Sequence, residues 1–283
     1  MSIARFGWAA WALVPVGAMA FHYGPGQGVY RHDQAADLRR SAVELETQAA
    51  ALQAEAYATH LASLEARRAA LVNDTPAAQL AMQRANETET RAFAASSAAW
   101  KLVADTFGRI EETAQGSTPE TLRTLRWSRA RALVRSGDIW SGIDELEGIL
   151  ADAAEASESA LVRATREQLG AAYYYGARLM RLSGEPDSEW MIETAKARQH
   201  FRYLAERAAH GASDEALNQQ RNVELVLNLE QEGRFALEGK PLPKESPSRC
   251  IGNKPGGNRK NKRPPTQRDA RGAGGAEDIY TGW

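Results

Sequence analysis

The side chains of this chain best suited to chemistry are five histidines, one cysteine and a few neighbouring carboxylates, and their spacing does not assemble them. His22, His32, His60, His200 and His210 contain no helical i, i+4 pair with an intervening acid, the arrangement that an HExxH zinc site requires. Cys250 has no second thiol for a disulfide and no neighbouring ligand for a metal. Glu111 and Glu112 are adjacent, and Glu145 and Glu147 are two apart. On a helix such neighbours diverge and do not close on one substrate. Ser141 is in no Gly-x-Ser-x-Gly elbow, and Gly24-Pro25-Gly26-Gln27-Gly28 lacks the Lys-Ser/Thr that completes a phosphate loop. The sequence therefore predicts a binding protein, not an enzyme, with no metal and no cofactor.

The formal net charge of −1 hides an asymmetry. Residues 240–283 hold ten basic and four acidic side chains, so this tail carries +6 and the remainder −7. The tail also contains six prolines and almost no large apolar residue before Ile279, so burial cannot offset its ordering entropy and disorder is expected. Its cluster Arg259-Lys260-Asn261-Lys262-Arg263 makes residues 249–271 a candidate surface for nucleic acid or another anionic polymer.

At the other end, Phe6 to Phe21 is uncharged, follows Arg5 and is bordered by Trp8, Trp11 and Tyr23, residues suited to a membrane interface. Residues 6–23 are read either as a short membrane anchor or, with Ala18-Met19-Ala20 as a small-x-small site before Phe21, as a signal peptide. Both readings place the protein at a membrane or in an exported, periplasm-like compartment. Gly24 to Gly28 is expected to be a flexible joint, so that residues 1–32 form a unit of anchor or signal plus linker.

The remaining elements read as helices throughout. Over 33–115 the pattern predicts a long antiparallel helical hairpin of coiled-coil type. Leu38, Leu45 and Leu52 recur every seven residues with Ala42, Ala49 and Ala56 four places on. The seam is expected to shift to Tyr57, Leu61, Leu64 and Leu71. Asn73-Asp74-Thr75-Pro76 supplies a turn, a cap and a first-position proline for the second helix, which carries Phe93, Trp100 and Phe107 at heptad spacing with Val103 and Ile110. Asn73-Asp74-Thr75 and Asn86-Glu87-Thr88 match the N-glycosylation triplet, but the first is read as a cap and the second as helix surface. Over 116–239, Ser117-Thr118-Pro119-Glu120 starts a helix, Gly137-Asp138 breaks it, and amphipathic segments continue to about Glu232.

Within this last region the segment from Arg129 to Ile149 resembles a tetratricopeptide repeat (TPR). Ala130 and Leu133 match its first-helix positions, Gly137-Asp138 its turn, and Gly142, Leu146 and Ile149 its second helix. Leu169-Gly170-Ala171-Ala172-Tyr173 resembles the start of a second copy, completed by Ala197, Phe201 and Leu204, with a capping helix from about Asp214. The resemblance implies an all-α fold ending in a short solenoid and a protein-binding function. It also implies a concave groove lined by Trp127, Arg131, Val134 and Arg135 of the first copy and Glu167, Ala171, Tyr174 and Tyr175 of the second, with Arg178 one turn beyond. Aromatic and arginine side chains at such positions would suit an extended peptide with acidic groups. The expectation is thus a membrane-associated or exported scaffold that binds a protein partner.

Overall fold

Proline, threonine and glycine mark most of the helix boundaries. A computed structural model of the chain describes residues 3–114, 117–152, 160–208, 213–233 and 237. Its helices in chain order are α1 (Ile3–Tyr23), α2 (Pro25–Asn73), α3 (Pro76–Thr113), α4 (Pro119–Ser136), α5 (Ile139–Asp152), α6 (Ala160–Ser183), α7 (Asp187–Ala208) and α8 (Ser213–Gln231). Among the described residues there is no strand, and each helix packs on the next. The fold is all-α and compatible with a helical solenoid. The predicted disordered tail, residues 240–283, lies outside the described residues.

The α2–α3 junction is built by side-chain capping. Asp74 ends α2 in the left-handed region at φ 33°, and Thr75 Oγ1 accepts the Ala78 N–H at 3.2 Å to start α3. Thr118 caps α4 in the same way through the Thr121 N–H at 3.3 Å, and Gly137, at φ 97°, ends it. Proline follows each threonine at the first helical position, where its missing N–H costs no helical bond.

Two sequence expectations are corrected here. The helix break at the amino terminus is Gly24 alone: α2 begins at Pro25 and runs through Gly26 and Gly28. The proline pre-sets the first helical φ, and the glycines weaken a long helix without interrupting it. Nor does the α2 seam leave its small residues. Ala42, Ala49, Ala56, Ser63 and Ala70, seven residues apart, are each at most 2% exposed; of the leucines expected to take over, Leu64 is buried, whereas Leu61 and Leu71 face solvent. The small residues keep one register along α2 because they let α3 approach closely, and the flanking leucines cover the crevice. On α3 the matching seam is Glu89, Ser96, Val103 and Ile110, with Trp100 and Phe107 between them.

Two apolar cores follow. One joins α2, α3 and α4 around Trp100, Val103, Ile110 and Leu125. The larger joins α4 to α8 around Leu146, the run Tyr173-Tyr174-Tyr175, Trp190, Phe201 and Leu229. Helix α4 serves both, sending Leu125 and Ala132 to the first and Trp127, Ala130 and Val134 to the second.

The α4–α5 crossing depends on Gly142. A Cβ there would lie 2.8 Å from the Ala130 carbonyl oxygen, 3.0 Å from the Val134 amide nitrogen and 2.5 Å from Val134 Cγ2. Two of these neighbours are backbone, so the helices themselves must move. Gly142→Ala is expected to cost about 1 to 3 kcal/mol. Gly148→Ala in the same helix adds a methyl with nothing within 4 Å and should be neutral or slightly stabilising. Thermal melts of the two variants test this, and matching melts for both would contradict the close crossing.

Candidate partner-binding groove

Helices α4 and α6 bring the predicted groove residues together on adjacent faces, and other parts of the chain then cover them. Trp127, Arg131, Arg135, Glu167, Tyr174, Tyr175 and Arg178 are all buried, none more than 7% exposed. Among the described residues these side chains therefore do not line the open concave surface expected from the sequence. Its floor is filled in cis.

Three segments do the filling. From α2, Glu46 pairs with Arg131 at 3.9 Å, and Tyr57 comes near both Arg178 and Tyr174. From α3, the Trp100 ring carries the Arg135 guanidinium over its face at 4.8 Å, just as Trp127 carries Arg131 at 5.6 Å. From the carboxy-terminal side, Gln219 of α8 donates to Glu167 Oε1 at 2.8 Å, and Asn222 donates to Gln219 at 3.3 Å. Beyond α8, the Leu237 side chain is buried and its carbonyl accepts from Arg178 Nη2 at 2.5 Å. Arg181, one turn along α6, donates to the Leu229 carbonyl. That carbonyl is in the last turn of α8, where no intrahelical N–H remains for it. Charged hydrogen bonds to backbone carbonyls thus hold the end of the cap on the floor of the groove.

Electrostatics follow from this cover. Burial pushes the Tyr57 phenol above its usual range, opposed by Arg178 and reinforced by Tyr174. On the other side of α6, Tyr173 donates to Glu147 Oε1 at 2.5 Å, and its phenol is raised by burial first and by that carboxylate second. His200 stacks on the Tyr173 ring at 5.9 Å with 6° between planes. Its buried Nδ1 finds no hydrogen-bond partner among the described residues, and burial, then Arg166 and Lys196, lower its pKa to about 4. The Tyr173 hydroxyl is given to Glu147 and the imidazole lies over the ring face, so Tyr173 and His200 meet as a packing contact.

The sequence reading passed over a polar cluster inside the α2–α3 pair. Glu89, fully buried, accepts from His60 Nδ1 at 2.7 Å and Arg67 Nη2 at 2.8 Å. Asn86 Oδ1 accepts from Ser63 Oγ at 2.8 Å and Arg67 Nε at 3.0 Å. The signal for it was present: Glu89 and Ser96 occupy seam positions that Val103 and Ile110 continue. Polar groups at such positions fix the register of paired helices. The cluster also accounts for Asn86, which serves the helix pairing.

Among the described residues no group of three His, Cys, Asp or Glu side chains is placed to hold a metal ion. Compared with known proteins, the chain matches no family model, no curated protein and no solved structure.

Proposed function

We propose that this chain is a membrane-associated or exported scaffold, in which a helical hairpin and a TPR-like platform hold a protein partner. The observation that carries the membrane part is α1. Its side chains Leu13, Val14, Val16, Met19, Phe21 and Tyr23 are between 57% and 80% exposed, apolar groups that no described residue covers. Among the described residues no helix is long and apolar enough to cross a membrane. An apolar helix of this kind is suited to the lipid interface. The support for the platform is the sequential packing of α4 to α8 and the glycine-dependent crossings at Gly142 and Gly170, where an added Cβ at Gly170 would meet the Phe201 ring at 2.8 Å. The +6 tail favours a second reading, in which residues 249–271 take nucleic acid or another anionic polymer.

Vesicle sedimentation separates the two. On the proposed reading, the full chain pellets with neutral phosphatidylcholine vesicles in high salt, deletion of residues 3–23 abolishes pelleting, and deletion of residues 240–283 does not. Pelleting only with anionic vesicles, lost on removal of the tail and in high salt, would favour the second reading.

A further inference from the structure

The turn between α2 and α3 carries exposed apolar side chains with arginines behind them. Leu71 and Val72, at the end of α2, are 84% and 82% exposed, and Leu80 on α3 is 46% exposed. From Ala69 to Gln83 the only charged residue is Asp74, while Arg67, Arg68 and Arg84 flank the stretch. We propose that this hairpin tip is a second lipid-docking site, suited to an anionic bilayer surface, so that the chain bridges two membranes. The bridging rests on the reading of α1 given above, whereas the tip contact does not.

Depth, polarity and reach support a lipid surface as the occupant. The exposed Arg68 and Arg84 lie roughly 8 and 12 Å back from the helix ends at Asn73 and Pro76, at 1.5 Å per residue. Apolar side chains that enter a bilayer interface go about 5 to 10 Å deep, so Leu71, Val72 and Leu80 reach the acyl boundary while the guanidiniums meet anionic headgroups. The polar groups of the turn are served within it. The Asp74 N–H donates to the Ala70 carbonyl at 3.1 Å, Thr75 Oγ1 accepts from Ala78, and Gln79 Nε2 donates to Asp74 Oδ1 at 3.2 Å. This lowers the cost of taking the turn out of water. Helix α1 and the tip stand at opposite ends of α2, whose 49 residues extend roughly 70 Å. The platform engages the hairpin through Glu46, Tyr57 and Ser97, whose Oγ donates to the Ser136 carbonyl at 2.5 Å. Roughly 24 Å of α2 continues beyond Tyr57. There the Glu89 cluster locks the two helices in register and holds the tip away from the platform.

The test loads the full-length chain on neutral phosphatidylcholine vesicles, removes unbound protein, and adds protein-free vesicles that contain phosphatidylglycerol and a second dye. The two populations should bridge, read as fluorescence cross-correlation. Leu71→Gln with Val72→Gln should keep loading and helix content and abolish bridging; Leu71→Gln alone serves if the pair loses helix content. Arg68→Gln with Arg84→Gln should raise the protein density needed by roughly tenfold. Deletion of residues 240–283 should leave bridging in place. Bridging that survives the tip variant but needs the tail overturns the proposal, as does a loaded parent that does not bridge. Bridging among the loaded vesicles alone also overturns it, since that is the signature of two copies meeting tip to tip. If the parent does not load, the α1 reading fails and bridging with it, and a fluorophore on Val72→Cys in a Cys250→Ser background judges the tip. Its emission should rise and shift to the blue with phosphatidylglycerol vesicles, and an unchanged spectrum removes the tip contact too.

Discussion

Trp127→Ala combined with Tyr174→Ala is expected to abolish cooperative folding of the α4–α8 region. Trp127 is buried in the larger core with Arg131 stacked on it, and Tyr174 is almost completely enclosed, edge-on to Tyr175 at 6.1 Å and 72°. Truncating a large buried aromatic costs about 3 to 5 kcal/mol, through lost burial and the cavity left behind. Two such losses consume most of the 5 to 15 kcal/mol, roughly, that holds a domain folded. Circular dichroism at 222 nm during a thermal melt of the parent, the single variants and the pair checks this. Single variants should melt several degrees early, and the pair should lose helix content before heating begins. A pair that melts with the parent would return these side chains to an open surface, where a binding role would be the natural account.

That contrast shows which information the sequence carried. Helix ends are local events, and Thr75-Pro76, Thr118-Pro119 and Gly137 marked them because a cap oxygen, a fixed φ or a positive φ is needed at that residue itself. The heptad spacing of Ala42, Ala49 and Ala56 gave the α2 seam for the same reason, since the period of the helix is a local property. Exposure is different. Arg131, Arg135, Glu167 and Arg178 fall on matching helix faces whether or not something lies over them, and what covers them is Glu46, Trp100, Gln219 and Leu237, brought from distant parts of the chain. The same limit hid the partners of His60. Its spacing to other histidines excluded a metal pair, but its contact with Glu89 exists only because α2 and α3 run past each other in one register.

Acidification from pH 6.5 to pH 4 is expected to destabilise the α5–α7 region, and His200 is the residue that makes it do so. The imidazole is stacked on Tyr173, faces the cations Arg166 and Lys196, and has a folded pKa lowered to about 4 against 6.5 in the unfolded chain. Between those values the unfolded state binds a proton that the folded state refuses, so stability is fully present above pH 6.5 and is lost as pH falls through the window. A difference of that size corresponds to about 3 kcal/mol at the low end. Asp144 and Glu145 work in the opposite direction. Burial raises both, Asp144 further through Glu147 and Glu145 further through Glu111, so the folded state takes up their protons more readily and recovers part of the loss as the carboxylates titrate. His200→Phe keeps an aromatic ring for the stack and removes the titrating group. Urea unfolding midpoints at pH 7, 5.5 and 4.5 should therefore fall steeply in the parent and much less in the variant. If both fall together, the acid response belongs to the carboxylates or to the Glu89 cluster, and the packing around His200 tolerates its charge.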